Sequence, residues 1–278
     1  MSPSPQTPPV AVAVLPVPAP AVRFAGHLFS AGFGRLAVLR GAKPLHPKGV
    51  LLPALVERHG LADPVGAAWL DDAGTSTAAA RLSRSAGLPE RWPDVWGLSL
   101  RTAPPPDPSP ADLLMVTSFA APVARRLLSL HRRPGAPMSS VMPYVAPDGT
   151  RVLLGARIET EGRLPSDLAG LTAALRARPA RFTLLAARSN GPWAPYGAVT
   201  VGGTAAAPLD AVRDGDGGPD GDLSYDPVLN PLPGLRLPTS LAHLRARGYA
   251  GARVGRRADA RTLDLRPDAS RRPPPTSG

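Results

Sequence analysis

The sequence predicts a domain of the α+β class, built as a closed or nearly closed antiparallel β-barrel with a few flanking helices. Short strand-like segments fill the middle of the 278-residue chain, and segments with helical spacing are fewer. A flat sheet of this many strands would have unprotected edges at this chain length. Closure into a barrel is therefore favoured.

The strand predictions rest on apolar runs and on one turn signal. Pro147-Asp148-Gly149-Thr150 separates two strand-like runs between Val145 and Ile158, a pattern typical of a hairpin. The stretch Leu113–Val116 fits a strand or a short helix opened near Ser109, and the residues alone leave both open. Further strands are predicted at residues 50–55, 181–188 and 198–201.

Three segments have helical spacing of apolar residues: Pro122–His131, Ser166–Ala177 and Leu241–Ala252. Ser166 is a candidate N-cap because its hydroxyl could accept a hydrogen bond from a free backbone N–H of the first turn. Composition sets the outer boundaries. Residues 1–22 are Pro/Ala-rich and are expected to be disordered, residues 23–257 to form the barrel domain, and residues 258–278 to form a disordered tail.

Composition excludes several classes of site. The chain has no cysteine, which rules out disulfides, thiolate metal sites and cysteine nucleophiles. The formal net charge is +11, but the arginines are scattered, so we expect a solvated surface and not a nucleic-acid partner. Neither a signal-peptide pattern nor about 20 uninterrupted apolar residues is present, so we expect a cytoplasmic protein without a membrane partner.

One pair of residues near the C-terminus carries specific chemistry. Arg245 and Tyr249 are four residues apart, which places them on one face of a helix, one turn apart. A cation beside a phenol lowers its pKa, and a phenolate is a suitable ligand for ferric haem. Because this spacing also arises often by chance, its weight depends on the neighbouring motifs.

The region resembles the proximal segment of the haem-dependent catalases. In that family an aromatic-Asp-Pro element and a Pro-Gly turn precede an Arg-x-x-x-Tyr helix, and here they correspond to Tyr225-Asp226-Pro227, Leu232-Pro233-Gly234 and Arg245–Tyr249. Upstream family elements are matched in the same order by Leu45-His46-Pro47-Lys48-Gly49, Arg81-Leu82-Ser83, Asp94-Val95-Trp96-Gly97-Leu98-Ser99-Leu100-Arg101 and the segment Trp193–Val201.

This resemblance implies haem b as a cofactor and a reaction with peroxide. Tyr249 would be the proximal iron ligand, tuned by Arg245, and His46 would be the distal acid and base. Ser83 would hydrogen-bond the imidazole of His46 and fix its tautomer. The haem propionates would pair with three basic residues, Arg81, Arg256 and Lys43.

The sequence also departs from the family pattern. The family's distal asparagine falls in the segment corresponding to Asp112–Thr117, which contains no asparagine, and Thr117 is the nearest polar substitute. The chain is also shorter than the family's members. The resemblance therefore implies a weak catalase, or a peroxidase that uses an organic reductant. A homodimer is the oligomeric state to test.

Two functions of other classes remain open. One is a barrel without haem that binds another small molecule or acts as an interaction module. The other is a phosphodiester hydrolase that uses His46 and aspartates, favoured by the basic charge but without a visible metal or nucleophile constellation. The Asp214–Asp222 loop has calcium-like spacing but lacks the acidic residue at the twelfth position, so we expect a solvated loop.

Overall fold

The computed structural model describes residues 48–85, 88–102, 109–160, 162–188, 190–203 and 225–238. Within these ranges nine strands form one antiparallel sheet in the order β5-β4-β3-β2-β1-β9-β8-β7-β6, and a pairing between β5 and β7 closes eight of them into a barrel. The strands are β1 (Lys48–Arg58), β2 (Gly74–Arg84), β3 (Trp96–Thr102), β4 (Ala111–Thr117), β5 (Met138–Ser139), β6 (Tyr144–Val145), β7 (Arg151–Ile158), β8 (Ala180–Arg188) and β9 (Ala194–Val201).

Alternate residues of each strand fill the barrel interior. On β2 these are Ala78, Ala80 and Leu82, and in the ladder between β1 and β2 Leu82 pairs with Val50. The small alanines leave room for large side chains from other strands, such as Trp96 and Phe182, which are almost fully buried. Because successive strand residues point to opposite faces, Ala79, Arg81 and Ser83 lie on the outer face of β2.

Two short helices bury apolar side chains in the barrel core. At one end lie helix α1 (Ala68–Asp71) and the buried Arg58, whose guanidinium stacks 4.8 Å from the ring centroid of Trp69 and donates to the carbonyls of Ala68 and Trp69. Desolvation by burial lowers the pKa of Arg58, and the charge of Asp72 opposes this shift. Helix α2 (Leu168–Ala177) connects β7 to β8 and buries Leu171 and Leu175 in the same core.

The strand predictions are confirmed for the hairpin and for the runs in β1, β8 and β9. Tyr144 pairs with Val152 and Val145 with Arg151 across the predicted turn. The Asp148 carboxylate accepts bonds from the backbone N–H and the hydroxyl of Thr150, and the second of these bonds is the main cause of its lowered pKa. The open choice at 113–116 resolves to a strand, β4.

Two helix predictions are corrected. Only Ala124–Arg126 of the predicted helix Pro122–His131 is helical, as a short 3-10 turn, because backbone bridges from Ser118 to Leu128 and from Asp94 to His131 hold the flanking residues in extended pairing. Helix α2 begins later than predicted, and its N-cap is Asp167 instead of Ser166, since the Asp167 carboxylate accepts from Gly170 N at 2.6 Å.

The predicted α+β class is therefore only loosely met. In the described residues the fold is mostly β, with a closed antiparallel barrel and two α-helices. The predicted segment Leu241–Ala252 and the predicted loop Asp214–Asp222 lie outside these residues.

Candidate functional site

The candidate site is the outer face of the first four strands, called here the β1–β4 wall. Arg81 and Ser83 are two residues apart on β2 and share this wall, whereas Leu82 between them is buried in the core. Ser83 is fully buried although it faces outward, and Arg81 is partly exposed. The structure thus brings two of the predicted site residues together on one surface.

Ser83 belongs to a row of small residues that crosses the wall. Gly49 of β1, Ser83 of β2 and Gly97 of β3 are in register, and Val116 of β4 ends the row. A Cβ at position 49 would lie 2.8 Å from Ser83 Cβ and 2.9 Å from Arg81 Cζ. Glycine at 49 is therefore what lets the Arg81 and Ser83 side chains lie across the start of β1.

Thr117, the predicted substitute for a distal asparagine, lies on the other face of the barrel wall. Its hydroxyl donates to Ser129 O at 2.7 Å and accepts from Trp96 N at 3.1 Å, and its side chain is fully buried. Ser83 and Thr117 are therefore not brought together. The outward position at this end of β4 belongs to Val116, which has no hydrogen-bonding side chain.

A buried ion pair lies further along the same wall, and sequence reasoning assigned it no role. Arg101 donates two hydrogen bonds to Asp112, Nε to Oδ1 at 2.7 Å and Nη2 to Oδ2 at 2.6 Å. Desolvation by burial lowers the pKa of Arg101, but the hydrogen bond and the charge of Asp112 outweigh it and leave the pKa raised. The guanidinium consequently stays charged inside the wall.

The same carboxylate anchors a distant segment of the chain. Asp112 Oδ2 accepts from Asp226 N at 2.6 Å and from the side-chain amide of Asn230 at 2.9 Å, and Asn230 O accepts from Asp112 N at 2.9 Å. Asp226 in turn accepts from the backbone N–H of Val228 and of Leu229, which shapes the turn. The Tyr225-Asp226-Pro227 motif is thereby docked against the β1–β4 wall.

Tyr225 completes this docking. Its hydroxyl donates to Ala79 O at 3.2 Å, and the Arg101 guanidinium lies 5.4 Å from its ring centroid. Burial raises the pKa of Tyr225, the charge of Asp112 adds to the shift, and Arg101 opposes it. Tyr225 is therefore a neutral phenol with a structural contact.

The Asp94 motif also has a structural explanation. Asp94 lies 3.5 Å from Arg84 Nε, and its carboxylate accepts from the backbone N–H groups of Leu88 and Val95. Arg84 also donates to the carbonyls of Pro89 and Glu90 and lies over the Trp96 ring. Together these contacts hold the β2–β3 connection at one end of the barrel.

The remaining predicted site residues lie outside the described ranges: Lys43, His46, Arg245, Tyr249 and Arg256. Within those ranges no group of three or more His, Asp or Glu residues could hold a metal ion. No helix among the described residues is long and apolar enough to cross a membrane.

The comparisons with known proteins bear on the fold. No family model and no curated protein matches this sequence. Among solved structures the chain is similar to a crystal structure of a fungal catalase, with a TM-score of 0.52 and 10% sequence identity. The match covers 76% of this chain and 58% of the catalase chain. At this identity the likeness shows the fold alone, which is a catalase-like β-barrel.

Proposed function

We propose that this chain binds haem b against the β1–β4 wall and reacts with peroxide, either as a weak catalase or as a peroxidase toward organic substrates. The observation that carries the proposal is the arrangement of Gly49, Arg81 and Ser83 on the outer face of a catalase-like barrel. His46, the proposed distal residue, lies only three residues before Gly49 in the sequence.

The chemistry of the wall suits a flat, dianionic macrocycle. Gly49, Ser83 and Gly97 form a row whose largest side chain is a serine, and strands that carry a planar ring need such a row of small residues. Arg81 lies across the Gly49 end of that row, and its planar guanidinium suits a propionate carboxylate. Lys43 and Arg256 are the further cations that we propose for the propionates.

The tyrosine content supports Tyr249 as the proximal ligand. The chain has four tyrosines, and Tyr144, Tyr196 and Tyr225 are buried in the barrel or against it. Burial raises the pKa of Tyr196 and Tyr225, which disfavours the phenolate needed for iron ligation. We therefore propose Tyr249 as the ligand, with Arg245 one helical turn earlier favouring its phenolate.

When bound, ferric haem would supply the redox chemistry for cleaving the O–O bond. The imidazole of His46 would take the proton from one peroxide oxygen and return it to the other, and Ser83 would hold the ring in the required tautomer. Val116 offers no hydrogen bond at the end of the small-residue row. This absence favours slow turnover, because peroxide would be held by fewer polar groups.

The proposal is tested by the absorbance spectrum of full-length protein produced with ample haem. We expect a Soret band and the visible spectrum of ferric, tyrosinate-ligated haem, and we expect Tyr249→Phe to lose that spectrum. Tyr225→Phe is the matched control, because its hydroxyl contacts Ala79 O and should not ligate iron. A folded protein without a Soret band would instead support the barrel without haem.

A second variant separates binding from chemistry. His46→Ala should keep the Soret band and lose peroxide consumption, because only the proton transfer is removed. If His46→Ala consumed peroxide as fast as the unmodified protein, the distal role of His46 would be wrong.

A further inference from the structure

Exposed apolar side chains are concentrated on two connections of the barrel. Seven large hydrophobic residues of the described part are exposed, and six of them lie in residues 88–92 and 119–130. We call these six the end patch: Leu88, Trp92, Phe119, Val123, Leu127 and Leu130. Isolated exposed apolar residues are ordinary, but six on two connections indicate an interaction surface.

The two connections adjoin at one end of the barrel. β2 and β4 run in the same direction, so the chain leaves both strands at the same end. Backbone bonds join the connections directly, from Asp94 N to His131 O at 3.0 Å and from His131 N to Asp94 O at 2.9 Å. The indole N–H of Trp96 also donates to His131 O at 3.1 Å. The end patch therefore belongs to one braced surface.

The charge on the two connections that carry the end patch has one dominant sign. No acidic residue occurs between Asp112 and Asp148, whereas that stretch contains four arginines. Arg132 and Arg133 are exposed, and Arg126 is partly exposed. On the shorter connection Glu90 is offset by the neighbouring exposed Arg91. A partner that covers this surface should therefore be both apolar and anionic.

We propose that the end patch docks on the surface of a bilayer that contains anionic phospholipid. Apolar side chains that alternate with arginines suit a lipid interface, where acyl chains and anionic headgroups lie within a few ångströms of each other. An exposed tryptophan such as Trp92 prefers that boundary, because its ring is apolar and its N–H is polar. This proposal departs from the sequence expectation of no membrane partner, which was based on the lack of a spanning segment; the contact proposed here does not require one.

Other occupants fit the same surface less well. A nucleic acid would use aromatic side chains for base stacking, but four of the six end-patch residues are aliphatic. A second copy of the chain that bound patch against patch would bring two sets of the same arginines to one interface, and like charges repel. An acidic protein matches the charge and is therefore an explicit alternative in the experiment.

The experiment is flotation of the full chain with vesicles of phosphatidylcholine, either pure or containing about one third phosphatidylserine. We expect partitioning only with phosphatidylserine. The double variants Phe119→Ser with Leu130→Ser, and Arg132→Ser with Arg133→Ser, should each reduce it roughly tenfold. The matched controls are Leu229→Ser, an equally exposed apolar residue elsewhere, and Arg151→Ser with Arg176→Ser; both should partition normally.

A second measurement reports the contact itself. Trp92 is 55% exposed, Trp193 is partly exposed and lies outside the end patch, and Trp69 and Trp96 are fully buried. Tryptophan emission should therefore shift to the blue on phosphatidylserine vesicles, and Trp92→Phe should lose that shift. Absence of partitioning, or equal partitioning of the end-patch and control variants, would overturn the proposal. So would binding of polyglutamate or a single-stranded oligonucleotide through these residues without vesicle binding.

Discussion

On the outer face of β3 and β4 the charged pair Arg101–Asp112 is buried, whereas on the outer face of β7, β8 and β9 the charged side chains are solvated. Arg101 and Asp112 on the first wall are 10% and 0% exposed. Arg181 on the second wall bonds Glu57 at 2.6 Å and lies 3.3 Å from Glu159, but all three side chains are more than 40% exposed. One barrel therefore presents two chemically different exteriors.

The difference shows which wall receives other parts of the protein. On the β1–β4 wall Asp112 binds Arg101 and also the backbone of residue 226, so the ion pair holds a segment more than 100 residues away in sequence. On the other wall the ions form a shallow groove with His59 and Arg157 that is open to solvent. The first wall is covered at the Arg101–Asp112 pair by residues 225–230, and the proposed haem site lies further along this wall, at Gly49, Arg81 and Ser83.

The sharpest test of this comparison removes one acid from each ion pair: Asp112 from the buried pair, and Glu57, which lies on β1, from the solvated pair with Arg181. Asp112→Ala should cost about 3–5 kcal/mol, because Arg101 is left charged and buried while Asp226 N and Asn230 lose an acceptor. Glu57→Ala should cost at most about 1 kcal/mol, since both partners are hydrated. Urea unfolding followed by circular dichroism measures both free energies of unfolding. Equal losses would show that burial does not distinguish the two ion pairs.

The next test addresses the small-residue row. Gly49→Ala should destabilise the barrel by about 1–3 kcal/mol, because the new Cβ would lie 2.8 Å from Leu82 O and from Ser83 Cβ, where backbone cannot give way. Gly74→Ala is the control at the other end of the same ladder, where the nearest atom is Arg58 Nη2 at 3.1 Å. Thermal unfolding of the two variants should rank Gly49→Ala as clearly less stable.

Sequence reasoning succeeded where alternation or turn chemistry is visible. In Arg81-Leu82-Ser83 one apolar residue stands between two polar ones, so the period of two places Arg81 and Ser83 on one face. In β4 the residues from Leu113 to Val116 are all apolar, so the sequence does not show which of them point into the barrel. A shift of one residue in the assignment would move every side chain to the other face. Thr117 was chosen by its place in the family pattern, and the local sequence gives no sign of which face of β4 it occupies.

Long-range contacts explain what else the sequence could not reveal. The Asp112 clamp joins residues 112 and 226, and no local pattern connects them. In Pro122–His131 the helical spacing was real, but bridges to Asp94 and Ser118 stabilise an extended path instead. Tertiary pairing overrode local propensity there.

A third test compares Thr117, which faces the barrel interior, with Ser83, which lies on the outer face. Thr117→Val should cost about 1–2 kcal/mol, because Trp96 N loses a buried acceptor and Ser129 O loses a donor. If the proposed function holds, Thr117→Val should keep its rate of peroxide consumption, whereas Ser83→Ala should lose rate and keep its Soret band. Loss of peroxide reactivity in Thr117→Val alone would contradict the facing of these side chains.

The smallest expected effect concerns salt. Arg181→Ala removes contacts with Glu57 and Glu159 on the exposed wall, and we expect a loss below about 1 kcal/mol that shrinks further near 1 M salt, where the Debye length is about 3 Å. The cost of Asp112→Ala should change little over the same range, because salt screens buried pairs much less. Urea midpoints at low and high salt measure both dependences. A strong salt dependence of Asp112→Ala would mean that water and ions reach the Arg101–Asp112 pair, and the contrast between the buried pair and the solvated pair would fail.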